Sequence, residues 1–189
     1  MRLSFWPWLV LVLPALAWAG ENFKHVDHKH WTDKYDHYFR KNSKHYFGPL
    51  VEWRWFKAQG IAESGLDPKA RSRVGAVGIM QIMPKTFEYI RKKNTALQGL
   101  EDPKWNIAAG VYYDRYLYEK WDFLGTAGQQ QLFFAFGSYN AGFRRIRQAY
   151  NKSLKQNKHV NEWGQVEAFV PGATRHYVKR IRKLMSAIL

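Results

Sequence analysis

Residues 53–65 read Trp53-Arg54-Trp55-Phe56-Lys57-Ala58-Gln59-Gly60-Ile61-Ala62-Glu63-Ser64-Gly65, and Asp67-Pro68 follows almost at once. The pattern predicts a helix from about Val51 to Glu63, with Trp53, Phe56 and Ile61 on its apolar side. Ser64-Gly65 ends it, and Asp67-Pro68 forbids its continuation. A carboxylate, Glu63, is thereby left at the C-terminal end of an aromatic-rich helix. The partial negative charge of that end disfavours an ionised Glu. If its surroundings also exclude water, its pKa rises, which suits a general acid near neutral pH. Taken alone, Glu63 reads first as an ordinary solvated helix-end residue.

Working outward, Lys69 to Pro84 has a different texture, with Gly75 and Gly78 permitting torsions or close backbone approaches that a Cβ would block. Thr86 is expected to cap a short helix, and Asp102-Pro103 to open a longer one from about Trp105 to Trp121. The longer helix carries Ile107, Val111, Tyr112, Tyr116 and Tyr118 around its circumference, which predicts a central, largely buried position. Gln129 to Tyr139 reads as an apolar helix ended by Asn140-Ala141-Gly142. Lys152 to Asn161 reads as a polar loop. A last helix, about Thr174 to Ile188, buries Tyr177, Ile181, Leu184 and Ile188 and leaves its lysines and arginines wet. On the N-terminal side, Asp33 is expected to cap a helix running to Phe47, which Gly48-Pro49 breaks. Before it lies a polar, His-rich arm. Nothing alternates convincingly as a strand, so the fold class is mainly α, without internal repeats.

Composition narrows the function classes. The chain has 189 residues, no cysteine, a formal charge of +15, and 17% aromatic residues. One compact domain is the expectation at that length. The aromatic content excludes a disordered polar tail. The lack of cysteine excludes disulfides, thiolate zinc sites and a cysteine nucleophile. The basic excess calls for an anionic partner. Residues 1–19 have the layout of a secretory signal peptide, with the apolar run Phe5 to Ala17 closed by Ala17-Trp18-Ala19. Cleavage after Ala19, with no lipid-bearing cysteine, predicts an exported periplasmic or wall-associated protein and makes nucleic acid a poor partner. His25, Asp27, His28, His30, Asp33, Asp36 and His37 are ligand types whose spacing matches no catalytic zinc helix. Neither a metal nor a cofactor is expected.

The motifs then combine. Glu63-Ser64-Gly65 is followed by Ser72, Gly75-Ala76, Gly78, and Ile79-Met80-Gln81-Ile82-Met83-Pro84, and farther on by Ser138-Tyr139-Asn140-Ala141-Gly142. In that order they closely resemble the catalytic domain of the soluble lytic transglycosylases, a lysozyme-like helical fold that cleaves bacterial peptidoglycan. The resemblance covers roughly Tyr46 to Leu184. It divides the chain into a signal peptide (1–19), an N-terminal arm and first helix (20–45), and a catalytic domain (46–189).

The resemblance implies that Glu63 is the single catalytic acid/base and Ser64 its helix-end neighbour. Gly78, Met80 and Gln81 match the strip lining the sugar groove. Tyr139 and Asn140 match the pair across the groove, with the tyrosine hydroxyl expected near the carboxylate. Tyr177 matches the tyrosine of a Glu-Thr-x-x-Tyr-Val pattern from which this chain departs, because Ala173 stands where the family usually has Glu. From the residues themselves, Met80, Ile82 and Met83 read as partly core packing rather than three sugar contacts, and Tyr139 reads either as a satisfied buried tyrosine or, as the Asn-Ala-Gly after it favours, as a groove residue.

Most glycosidases use two carboxyl groups, and no second acid here has a motif around it. The family chemistry fills that gap: the Glu protonates the bond between N-acetylmuramic acid and N-acetylglucosamine, and the sugar's own 6-hydroxyl closes a 1,6-anhydro ring. The expected partner is therefore the peptidoglycan glycan strand, met by a monomer serving wall turnover, a secretion or conjugation apparatus, or a phage. From Phe143 onward eleven Lys and Arg face only Glu162 and Glu167, a surface that would attract the stem-peptide carboxylates. A lysozyme-type hydrolase on the same fold, or a non-catalytic exported murein-binding protein, is the rival reading.

Overall fold

The computed structural model describes residues 30–126 and 128–186. The signal-peptide reading and most of the His-rich arm lie outside them. Among the described residues are seven α-helices: α1 Asp36–Phe47, α2 Arg54–Ser64, α3 Pro84–Lys93, α4 Pro103–Glu119, α5 Gln129–Ala141, α6 Phe143–Leu154 and α7 Gly172–Ser186. Three one-turn 3-10 segments join them, and β pairing among the described residues is limited to isolated bridges, Arg71 with Val77 and Val77 with Ile82. No described helix is long and apolar enough to cross a membrane.

α4 is the axle. It packs on α1 and α5, and α5 in turn packs on α6 and α7, while α7 lies against α2. α4 buries Asn106 to Val111 and then Asp114 and Leu117. α2 is buried over seven successive residues from Trp55 to Ile61, which a single apolar stripe does not do. Burial so complete takes Lys57 with it. Its Nζ meets Asp36 Oδ1 at 2.5 Å and lies 4.5 Å from the Trp31 ring centre, which satisfies the cation and ties the start of α1 to α2.

Local expectations fared according to what the backbone needed. Asp102 caps α4 as read, its carboxylate accepting from the Lys104 N–H at 2.8 Å. Thr86 does not cap α3; Pro84 opens it, since its fixed φ suits the first helical position and its missing N–H costs nothing there. Asp33 forms only a turn before α1, which starts at Asp36 with no side-chain cap. The sequence reading passed over α6, and the loop placed at Lys152 begins inside it. Ile146, Ala149, Tyr150 and Ser153 are its buried face, a helical period hidden among charges.

Candidate active site

Glu63 sits in the last turn of α2. Gly65 ends that helix in the left-handed region at φ +69, and the N–H groups of Gly65 and Leu66 close on the carbonyls of Ile61 and Gly60. α7 crosses this end and aims Tyr177 at it, with the hydroxyl donating to Glu63 Oε1 at 2.6 Å. Burial lifts the Glu63 pKa from 4.5 to about 7, and the Tyr177 hydrogen bond opposes that rise without cancelling it. Glu63 therefore holds its proton up to neutral pH. Burial also pushes the Tyr139 and Tyr177 phenols well above their usual value, so both remain O–H donors.

Beside Glu63 runs the loop 77–81, fastened by three helices. Ser64 Oγ at the end of α2 donates to the Ile79 carbonyl at 2.9 Å. Asn106 of α4, fully buried, accepts from the Met80 N–H at 2.8 Å and donates to the carbonyls of Val77 and Leu100, each at 2.9 Å. Tyr139 of α5 donates to the Met80 carbonyl at 2.8 Å. Gly78, at φ +76, is required by this arrangement, because a Cβ there would stand 2.5 Å from Asn106 Nδ2. Its N–H is held by Ala70 and its carbonyl accepts from both the N–H and the Nε2 of Gln81. Gln81 itself adopts φ +44, a conformation uncommon for a side-chain-bearing residue. Gln81 Nε2 also reaches the Ala70 carbonyl at 3.2 Å, which leaves Oε1 without a partner among the described residues.

The predicted residues therefore separate. Glu63, Ser64, Gly78, Gln81, Tyr139 and Tyr177 converge on one place. Asn140 stands exposed at its edge, its Oδ1 accepting from Thr174 Oγ1 at 2.8 Å. Met80 converges from beneath: its side chain is fully buried, Cγ would lie 2.7 Å from a Cβ on Gly110, and both backbone groups are bonded internally. Met80 cannot contact a ligand through its side chain; it supports the loop. The Tyr139 hydroxyl, expected near the carboxylate, bonds the loop backbone, its ring lying edge-on against Tyr113 of α4, while Tyr177 takes the Glu63 oxygen. Tyr177, whose role the Ala173 departure left open, is the direct partner of Glu63.

Two residues escaped the sequence reading. Asp114 of α4 is fully buried, and Gln59 Nε2, one turn before Glu63 on α2, donates to its Oδ1 at 3.1 Å. Asp114 Oδ2 and Gln59 Oε1 are both buried with no partner. Protonation of Asp114 would give Oδ2 an O–H to donate, and Gln59 Oε1 is a buried acceptor that lacks a donor. Burial pushes the Asp114 pKa well up, the Gln59 hydrogen bond opposes that, and the nearby Glu63 carboxylate adds to the rise. The available signal was an acidic residue in the middle of a helix that reads as buried all round. Among the described residues no cluster of three His, Asp or Glu could hold a metal.

The transglycosylase SLT domain family model matches residues 38–162. The soluble lytic murein transglycosylase of Escherichia coli is 29% identical over 169 residues, covering 86% of this chain and 24% of that protein. Membrane-bound lytic murein transglycosylase F of Aeromonas salmonicida is 23% identical over 194 residues, covering 89% and 37%. The crystal structure of the 70-kDa soluble lytic transglycosylase from Escherichia coli aligns with a TM-score of 0.67 at 27% identity, covering 83% of this chain and 24% of that one. The chain thus spans about a quarter to a little over a third of the length of these relatives.

Proposed function

Because the chain belongs to the transglycosylase SLT domain family, we propose that it is a lytic transglycosylase of peptidoglycan, with Glu63 as its acid and then its base. The observation that carries this reading is the buried Glu63 carboxyl group, protonated up to about pH 7 and held by Tyr177. Glu63 gives its proton to the glycosidic oxygen between N-acetylmuramic acid and N-acetylglucosamine, and that bond breaks. The 2-acetamido carbonyl stabilises the cationic carbon. The Glu63 carboxylate then takes the proton of the 6-hydroxyl, whose oxygen bonds to that carbon. No water enters, and the tethered hydroxyl competes with water by proximity.

Tyr177 donates to the carboxylate as it forms, lowering the cost of its charge. The unpaired Oε1 of Gln81 and the amide group of Asn140 are the polar groups at hand for N-acetyl and hydroxyl groups, and Ser64 and Gly78 shape the loop that presents them. The substrate places the protein in the cell-wall compartment, acting as a monomer on glycan strands.

The test is mass spectrometry of muropeptides released from purified sacculi. Anhydromuramoyl ends support the reading. Ends heavier by one water make the protein a lysozyme-type hydrolase, and no release by the folded protein reduces it to a murein binder.

A further inference from the structure

Four tyrosines carry ring contacts outward from the Glu63 site. Tyr139 meets Tyr113 edge-on with centroids 5.4 Å apart. Tyr113 and Tyr116, nearly one turn apart on α4, lie almost parallel at 15°, with centroids 5.9 Å apart. Tyr116 meets Tyr89 of α3, also at 5.9 Å, and the Tyr89 hydroxyl donates to the Tyr116 hydroxyl at 3.2 Å. Tyr139, Tyr113 and Tyr116 are partly buried, and Tyr89 at the outer end is 43% exposed. The outer end carries two cations: Lys120 Nζ lies 4.7 Å from the Tyr116 ring centre and Lys93 Nζ lies 5.3 Å from that of Tyr89. Neither lysine has a carboxylate partner among the described residues.

We propose that Tyr116 and Tyr89, with Lys93 and Lys120, form an outer saccharide subsite that takes a sugar ring bearing a carboxylate. This rests on the peptidoglycan reading above and names where along the strand the protein makes a second hold. A tyrosine presents an apolar face to the C–H face of a sugar and a hydroxyl to its oxygens. Surface packing alone accounts for Tyr113 and Tyr116; the two ammonium groups at the outer rings, with no carboxylate partner among the described residues, add the cationic charge that an anionic sugar would meet. An ammonium beside a ring keeps N–H donors for an anion. A muramoyl unit supplies the matching pair of features, a pyranose and the carboxylates of its lactyl-peptide arm.

The test measures binding by calorimetry on the Glu63→Gln protein, which cannot cleave under the proposed chemistry. The probes are soluble peptide-bearing murein strands and neutral chito-oligosaccharides. Tyr89→Ala should weaken both about fivefold, and Tyr89→Trp should restore most of the loss. Lys93→Gln with Lys120→Gln should weaken murein alone, roughly two- to tenfold, with the difference shrinking as salt rises. Lys41→Gln with Lys44→Gln makes the same charge change on α1 and should do less. Unaltered binding in Tyr89→Ala, at an unchanged melting temperature, overturns the subsite. An equal loss in the α1 pair does so too, because net charge would then explain the effect. If the Glu63→Gln parent binds neither probe, the peptidoglycan reading itself fails.

Discussion

Replacing Glu63 with Gln should stabilise the protein by an amount that grows with pH. In the unfolded chain Glu63 ionises around 4.5, whereas in the fold it holds its proton to about 7. Between those values the folded state binds the extra proton, so rising pH drains stability from the wild type. At about 1.4 kcal/mol per factor of ten in proton affinity, the gap comes to roughly 3 kcal/mol once pH exceeds 7. Gln has nothing to titrate, and its carbonyl still accepts the Tyr177 hydroxyl, so it escapes that cost. At about 2–4 °C per kcal/mol for a chain of this size, the variant should melt about 6–12 °C higher at pH 8 and nearly level with the wild type at pH 4. Thermal unfolding followed by circular dichroism across that range measures it. A difference that does not grow with pH would refute the desolvated carboxyl group. The same substitution should abolish anhydromuropeptide release, a general acid being worth about 10²–10⁴ in rate.

Tyr177→Phe removes the bond that favours the Glu63 carboxylate, so the alkaline limb of the kcat/KM profile should move above pH 7 while the rate falls roughly ten- to a hundredfold. Tyr139→Phe strips the Met80 carbonyl of its donor and should cost about 1–3 kcal/mol of stability, read as a lower melting temperature, with a smaller loss of turnover per folded molecule than Tyr177→Phe. Asp114→Asn keeps an acceptor for the Gln59 amide and has nothing to titrate, so, by the same linkage as Glu63→Gln, it should gain stability over the wild type as pH rises above about 4, whereas Asp114→Leu orphans the Gln59 amide and should destabilise by about 1–3 kcal/mol. A difference between Asp114→Asn and the wild type that does not grow with pH would mean that burial does not raise the Asp114 pKa.

What the sequence made legible was local. The stop of α2 at Gly65, the Asp102 cap and the apolar runs of α4, α5 and α7 depend on neighbours in the chain. α6 was legible in the spacing of Ile146, Ala149 and Tyr150, but its charges masked it. The active-site order Glu63, loop 77–81, Tyr139 and Tyr177 came from motif resemblance; how those residues touch did not. The bond from Tyr177 to Glu63 spans 114 positions and the Gln59–Asp114 bond spans 55, and both depend on the register between packed helices, which no local pattern encodes. This is why the sequence expected the Tyr139 hydroxyl near the carboxylate and left Tyr177 open, when the packing bonds Tyr177 to Glu63 and Tyr139 to the loop.

The same packing answers how one titrating carboxyl group can serve twice. The proposed chemistry asks Glu63 to donate a proton and then to take one back, and a group does both best when its pKa lies near the working pH. Burial alone would push Glu63 further up and hold the proton too firmly; the Tyr177 hydroxyl draws it back. An ionised Asp114 would undo that balance, because a second negative charge nearby raises the cost of the first. Burial, which pushes the Asp114 pKa well up, disfavours that second charge, while the Gln59 amide keeps the side chain bonded. Of the two carboxyl groups, Glu63 is the one that Tyr177 holds, and under the proposed chemistry the substrate's own 6-hydroxyl replaces the second functional group of a two-carboxylate glycosidase.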